Sequence, residues 1–467
     1  MTDFSQLLRP DRGEQAHAIA IVDPAAHDEW LAAQPNQVRD AAQMHRFAAK
    51  DGTHLLVPGP GSDPWRVIAA IGDQRSPWAL AKLAAALPPG VYRIVGDAPP
   101  ALGWLLAQYR FSRYRVADDA EPRVLLTSDV AGLDETLRVA DAVARVRDLV
   151  NTAAADLGPA ELETEVESLG QAFGASTAVT RGDALASDYP MIHAVGQAAT
   201  RERAPRLIEL EWGDPTHPRV AIVGKGVCFD TGGLDIKPSA GMRLMKKDMG
   251  GAAHALSLAR LVMDARLPIR LHLLIPAVEN AVSAASFRPG DVLRTRLGLT
   301  VENTNTDAEG RLILGDALAK AAEASPELIL DFATLTGAAR VALGPDLPAT
   351  FANDEALAAE LLAAGAAADD PLWRLPLWDG YDEMLKSDVA DLVNAPEGGM
   401  AGAITAALFL RRFVPEATPW AHLDTFAWRS AAKPGRPKGG DALGLRAAWT
   451  LLKRRYGEAV AALPPPS

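Results

Sequence analysis

The sequence has one cysteine, no excess of positive charge and no long apolar run, and each shortage excludes a class of protein. The single Cys228 rules out a disulfide within the chain and a zinc site built from several cysteines. The formal net charge of -12 argues against a nucleic-acid partner, because a phosphate backbone calls for a basic face. No apolar run is long enough to span a membrane. The N-terminus lacks the basic start and the following apolar stretch that would indicate a secretory signal. We therefore expect a soluble, cytoplasmic protein that does not bind membranes.

Length and apolar periodicity predict two α/β domains. A chain of 467 residues is too long for one small core. A helical pattern over about residues 133–150 predicts a connector helix. We predict a smaller N-terminal α/β domain over residues 1–140 and a larger C-terminal α/β domain over residues 141–467. Near-continuous apolar strands flanked by helices in the second domain favour a mixed, mostly parallel central sheet.

Three short segments of the second domain gather charged residues that could serve a metal site. Residues 223–237 read V-G-K-G-V-C-F-D-T-G-G-L-D-I-K, residues 242–252 read M-R-L-M-K-K-D-M-G-G-A, and residues 303–312 read N-T-N-T-D-A-E-G-R-L. Four of their carboxylates and one lysine are candidate metal ligands, and two further cations lie beside these in sequence. In chain order the seven candidates are Lys225, Asp230, Lys237, Asp248, Asp307, Glu309 and Arg311. The second domain is therefore predicted to be the catalytic domain.

The residue types in these segments predict a pair of divalent metal ions. Four carboxylates in one place repel each other unless cations neutralise them, and two dications suit that charge. Hard oxygen ligands suit Mn(II) or Mg(II), whereas Zn(II) binds more tightly where it is available. An extended Asp307-Ala308-Glu309 would point both carboxylates to one side, so we expect extended backbone there, with Arg311 following on that side. Asp248 has an alternative interpretation as the cap of the helix that follows it.

The three segments resemble the leucyl aminopeptidase (cytosol aminopeptidase) family of two-metal exopeptidases. The family's signature N-T-D-A-E-G-R-L stands intact at residues 305–312, and residues 223–237 and 242–251 match two further family segments. The resemblance covers most of residues 147–428. The first domain carries no motif that matches the family.

The resemblance implies a metallo-aminopeptidase that removes the N-terminal residue, preferably Leu-like, from short peptides with a free N-terminus. A water activated by two metal ions would attack the first peptide carbonyl. The ions would be Mn or Zn, with Mg as another possibility. The ligands carried over by matching position are Lys225, Asp230, Asp248 and Glu309 for the tighter metal, and Asp230, Asp307 and Glu309 for the more exchangeable one.

The resemblance also assigns roles around the metals. Lys237 would act as the electrophile at the substrate carbonyl oxygen, and Arg311 would hold a bicarbonate ion as the general base. The pocket for the first side chain would be lined by Met245, Thr334 and Gly337. The family assembly implies a homohexamer with active sites that face an inner cavity.

One departure from the family and three alternative functions complete the sequence-based picture. Where the family usually shows D-I-A-G, this chain has Asp424-Thr425-Phe426-Ala427, so a phenylalanine replaces a small residue at a pocket wall or subunit contact. The alternatives are a dedicated dipeptidase, a member that also binds DNA, and an inactive assembly module. The net charge of -12 argues against DNA binding. The presence of every metal position and both catalytic cations argues against an inactive module.

Overall fold

The computed structural model describes residues 2–59, 65–115 and 121–457, and these form two compact units. The first unit comprises Met1–Ala144 and Ser430–Lys438, and the second comprises Arg145–Arg429 and Gly439–Ser467. The predicted two-domain α/β class is confirmed. The boundary near residue 140 stays a prediction, and the sequence patterns do not indicate that Ser430–Lys438 belongs to the first unit.

The first unit is built on a six-stranded sheet with helices on its connections. Its strands are β1 (Leu8–Pro10), β2 (His17–Val22), β3 (His54–Val57), β4 (Arg66–Ala70), β5 (Gly90–Val95) and β6 (Arg123–Thr127). Its helices are α1 (His27–Ala32), α2 (Asn36–Met44), α3 (Ala81–Ala86) and α4 (Leu102–Leu106), and α5 (Leu133–Asn151) follows where the sequence predicts a connector helix. The strand order is β1-β6-β5-β2-β4-β3, parallel except for the β3–β4 pair.

The second unit contains the remaining elements. Its strands are β7 (Ser176–Arg181), β8 (Arg206–Trp212), β9 (Arg219–Gly224), β10 (Gly226–Asp230), β11 (Arg270–Asn280), β12 (Val292–Arg294), β13 (Thr300–Glu302), β14 (Leu328–Ala333), β15 (Ala349–Ala352), β16 (Trp373–Arg374), β17 (Leu392–Val393), β18 (Trp420–Asp424), β19 (Trp428–Arg429) and β20 (Gly439–Gly440). Its helices are α6 (Pro159–Phe173), α7 (Gly182–Asp188), α8 (Pro190–Gly196), α9 (Ser239–Met242), α10 (Gly250–Asp264), α11 (Glu309–Ala322), α12 (Gly337–Leu343), α13 (Glu355–Ala367), α14 (Gly402–Arg411) and α15 (Leu445–Leu452). A 3-10 helix, Met245–Met249, leads directly into α10.

A nine-stranded mixed sheet forms the centre of the second unit, in the order β16-β15-β18-β14-β9-β11-β8-β7, with β10 paired to β11. The central strands β18, β14, β9 and β11 run parallel. Strands β15 and β8 pair antiparallel with this group, and β7 pairs antiparallel with β8. The residues of β14 are buried throughout. Such strands need cover on both faces, and this confirms the predicted mixed, mostly parallel sheet. Among the residues that the structure describes, no helix is long and apolar enough to cross a membrane.

Glycines let α10 and α11 approach the end of β9 closely. A Cβ added to Gly251 would lie 2.2 Å from the Phe332 carbonyl oxygen and 2.8 Å from the Lys225 nitrogen. The Lys225 backbone is held on both sides there, because its N–H donates to Phe332 O (3.0 Å) and its carbonyl accepts from Ala252 N (2.8 Å). A Cβ added to Gly310 would lie 2.7 Å from Lys225 Nζ. A side chain at Gly251 would therefore meet fixed backbone, and one at Gly310 would displace the Lys225 ammonium group.

We predict that Gly251→Ala destabilises the second unit even though alanine is the better helix former. The new methyl group would meet the backbone of Phe332 at 2.2 Å, which cannot move as a side-chain tip can, and overpacking of this kind costs roughly 1–3 kcal/mol. The thermal unfolding midpoint should fall by several degrees. Gly241→Ala in α9 is the matched control, because its Cβ would meet nothing closer than 3.7 Å. Equal midpoints for both variants and the unaltered chain would contradict this prediction.

Candidate metal centre

The predicted metal residues come from strand ends and helix beginnings at one edge of the sheet. Lys225 joins β9 to β10, and Asp230 is the last residue of β10. Asp248 lies in the 3-10 helix that leads into α10, and Glu309 is the first residue of α11. Ligands commonly bind at the carboxyl ends of strands in open α/β sheets. The structure thus brings these four residues, and Asp307 beside Glu309, to one edge of the sheet.

Two lysines lie between the carboxylates. Lys225 Nζ is 2.7 Å from Asp248 Oδ2 and 3.0 Å from Glu309 Oε1. Lys237 Nζ is 2.8 Å from Asp230 Oδ2 and also contacts Asp307 Oδ1. Burial disfavours both ammonium groups, but the neighbouring carboxylates outweigh it and hold the pKa of each lysine above its usual value.

The negative charge of the four carboxylates exceeds the positive charge of the two lysines. Ligand oxygens of Asp230, Asp307 and Glu309 all lie within 4.8 Å of one another. Glu309 is 1% exposed, and its Oε2 has no hydrogen-bond partner among the described residues. Burial and the neighbouring Asp230 raise the pKa of Glu309 to about 8, and burial and Asp230 also raise the pKa of Asp307. A buried, crowded group of carboxylates with an unpartnered oxygen fits divalent cations.

The helix-cap interpretation of Asp248 is wrong. Helix α10 has Met249 at its N-cap position, and no side chain makes a capping hydrogen bond there. The Asp248 carboxylate instead accepts from Lys225 Nζ and from Thr334 Oγ1, at 2.7 and 2.8 Å. Although burial alone would raise it, Lys225 lowers the pKa of Asp248. Asp248 therefore belongs to the charged cluster and not to the helix terminus.

The prediction of an extended Asp307-Ala308-Glu309 is also wrong. Asp307 lies in a turn, Ala308 is the N-cap residue with φ -104° and ψ 40°, and Glu309 begins α11. The two carboxylates nevertheless converge, because the chain turns into the helix between them. Arg311 lies in the first turn of that helix. Local sequence could not separate these conformations, since D-x-E-G suits a turn before a helix as well as an extended segment.

Arg311 is buried near the acidic cluster and has an unused hydrogen-bond donor. Its Nη1 donates to Asn394 O (2.8 Å), whereas its Nε has no hydrogen-bond partner among the described residues. Burial lowers the pKa of Arg311 to about 10. The side chain lines the same cavity as Lys237 and the carboxylates. The two predicted catalytic cations are therefore brought to one cavity.

That cavity has a volume of about 440 Å³, within the usual range for small-molecule sites. The three predicted pocket residues, Met245, Thr334 and Gly337, all line it. The Thr334 hydroxyl is bonded to Asp248. Phe426, the departure noted in the sequence, lines the cavity too.

Asn280, which the sequence analysis does not single out, hydrogen-bonds to the acidic cluster through Asp230. Asn280 ends β11 opposite Asp230 in the strand register. Its Nδ2 donates to Asp230 Oδ1 (2.9 Å) and to Thr306 O (3.1 Å). These bonds fix the orientation of the Asp230 carboxylate. A polar residue at the end of a buried strand is the one signal that could have indicated it.

Family models of known proteins match residues in both units of this chain. Residues 144–449 match the model of the cytosol aminopeptidase family, catalytic domain, and residues 18–127 match the M17 aminopeptidase, N-terminal domain. A probable cytosol aminopeptidase of Roseiflexus castenholzii is 40% identical over 413 residues, which cover 83% of each chain.

Two solved structures share the fold. The cytosol aminopeptidase from Coxiella burnetii is 45% identical with a TM-score of 0.92, and the match covers 96% of this chain and 99% of that one. The bottromycin maturation enzyme BotP in complex with Mn is 31% identical with a TM-score of 0.84, over 95% of this chain and 100% of that one. The first unit, which carries no motif recognisable by eye, is thus matched as well. The chain belongs to the cytosol aminopeptidase family and is a metallo-aminopeptidase, a hydrolase that acts on peptides.

Proposed function

We propose that this aminopeptidase removes Leu-like N-terminal residues from short peptides with a free N-terminus, using two divalent ions. The observation that carries the proposal is the buried acidic cluster, in which Glu309 Oε2 has no partner among the described residues and the carboxylates exceed the lysines. The proposed ligands are Lys225, Asp230, Asp248, Asp307 and Glu309.

The donor set indicates which metals fit. Carboxylate oxygens suit Mn(II), Zn(II) or Mg(II), and the manganese bound by BotP favours Mn for this chain. As a ligand, Lys225 must first release its proton, which a neighbouring dication makes easier by lowering the amine pKa. When bound, the two ions would supply an activated water and polarise the first peptide carbonyl.

Lys237 is proposed as the electrophile. Its side chain is 14% exposed at the cavity, whereas that of Lys225 is only 3% exposed. Metal ions on Asp230 and Asp307 would compete for the oxygens that now hold its ammonium group. Lys237 could then donate a hydrogen bond to the substrate carbonyl oxygen, which gains negative charge in the transition state.

Arg311 is proposed to hold bicarbonate, which would serve as the general base. Its Nη1 is bonded to Asn394, and its buried Nε has no partner among the described residues. A guanidinium edge matches the planar geometry of a carboxylate-like anion. The anion would sit beside the metals, where it could accept a proton.

The pocket, assembly and location complete the proposal. Met245 and Gly337 leave an adaptable apolar space, which supports the preference for Leu-like side chains. A homohexamer is proposed because the family resemblance implies it. A cytoplasmic location is supported by the relatives, which are cytosol aminopeptidases.

Metal removal tests the proposed function directly. Purified protein should contain two divalent ions per chain and hydrolyse leucine p-nitroanilide. Chelation should abolish hydrolysis, and Mn(II) should restore it. Hydrolysis that is indifferent to chelation would refute the two-metal proposal, whatever substrate is used.

Substitution of Lys237 separates an electrophile from a metal ligand. We predict that Lys237→Ala retains both metals and loses about 10²–10³-fold in kcat, as when one donor to a developing oxyanion is removed. Metal content and turnover should be measured on the same sample. Lys320→Ala, at a helical surface ion pair with Glu323, is the control and should match the unaltered chain. Loss of metal from the Lys237 variant would reassign Lys237 as a ligand.

A further inference from the structure

Three side chains at the cavity take no part in the mechanism above: Lys247, Arg340 and Phe426. Lys247 follows Met245 by two residues in the same 3-10 helix, and Arg340 follows Gly337 by one turn in α12. Both cations therefore come from segments that supply the proposed pocket for the first side chain.

The phenylalanine ring lies close to both cations. Lys247 Nζ is 5.2 Å from the centroid of Phe426, and the Arg340 guanidinium carbon is 4.7 Å from it. At these distances the ring attracts positive charge through its negative face. The guanidinium also borders the predicted pocket wall, because a Cβ added to Gly337 would lie 3.9 Å from Arg340 Nη2. A small residue in place of Phe426 would remove this link between the two cations.

Neither cation forms a close ion pair with a described residue. Among the described residues, Arg340 has no ion pair and Lys247 has no hydrogen bond, although the Lys247 side chain is only 6% exposed. The nearest carboxylate oxygen to Lys247 is Asp248 Oδ1, at 3.8 Å, and that atom accepts from Thr334. Lys247 thus has only a long ion pair and Arg340 is exposed at the cavity, so both cations have donors left for a ligand that brings acceptor oxygens.

Asp424 also lines this part of the cavity, but its carboxylate does not pair with Lys247 or Arg340. Asp424 accepts from the backbone N–H groups of Leu335 and Thr336, at 2.9 and 3.1 Å, and from Thr336 Oγ1 at 2.6 Å. Its oxygens are therefore committed to the start of α12, where they fix the turn that carries Gly337 and Arg340.

We propose that the first-residue pocket also accepts acidic side chains, with Arg340 and Lys247 as specificity-determining residues. A glutamate would pack its aliphatic stem against Met245 and Phe426 and direct its carboxylate to the two cations. Charge-assisted hydrogen bonds of this kind are roughly twice as strong as neutral ones. The inference rests on the proposed function and extends its substrate class from Leu-like to glutamyl peptides.

An isosteric pair of substrates tests the inference on the unaltered, metal-loaded protein. Dipeptides that begin with Glu, Gln or Leu and share a second residue are compared by kcat/KM. We expect the Glu-first peptide to exceed the Gln-first peptide by about tenfold or more, since only the carboxylate offers charge. Equal values for Glu and Gln, or cleavage of Leu-first peptide without cleavage of Glu-first peptide, would overturn this inference and leave the proposed function intact. Failure to cleave any of the three would overturn both.

Substitutions assign the effect to the two cations. Arg340→Gln and Lys247→Met should each lower kcat/KM for Glu-first peptide about tenfold more than for Leu-first peptide. Lys246→Met is the matched control, because Lys246 is adjacent in sequence but donates to Asn151 O (2.6 Å), and it should leave that ratio unchanged. Metal content is measured in each variant. Equal losses for Glu-first and Leu-first peptides in both pocket variants would overturn the assignment.

Discussion

The second unit depends on the placement of two lysine ammonium groups among four carboxylates. Lys225 lies between Asp248 and Glu309, and Lys237 contacts Asp230 and Asp307. Without these cations, four carboxylates at a largely buried site would repel each other strongly. With them the cluster remains acidic, and one glutamate oxygen is left without a partner among the described residues. The same arrangement therefore keeps the site folded and leaves charge for divalent ions to neutralise.

The sheet and its glycines make this crowding possible. Parallel central strands bring the end of β9 beside the end of β14, and α10 and α11 begin against that edge. Gly251 and Gly310 provide space for the backbone and ammonium group of Lys225. Asn280 orients Asp230 from the neighbouring strand. The residues that hold the cluster are thus spread along the second unit, and each acts through a short contact to one charged group.

Much of this organisation could be predicted from the sequence, because the charged residues directly follow apolar strands or precede helices. The mixed sheet and the gathering of Lys225, Asp230, Asp248 and Glu309 follow from those local signals. The backbone at Asp307 could not be predicted, since its short motif suits two conformations. The hydrogen-bond partners of Asn280 and the contacts of Lys247 and Arg340 with Phe426 cannot be predicted from the sequence, because they arise between segments far apart in the chain. The return of Ser430–Lys438 to the first unit has the same long-range origin.

Anomalous diffraction from crystals grown with Mn(II) tests the central claim most directly. The account predicts two manganese peaks about 3.5–4 Å apart, the spacing of two-metal sites. The ion at one peak should be bound by Lys225, Asp230, Asp248 and Glu309, and the ion at the other by Asp230, Asp307 and Glu309. Lys237 should lie outside both coordination shells. A single peak, or manganese bound away from these side chains, would contradict the account.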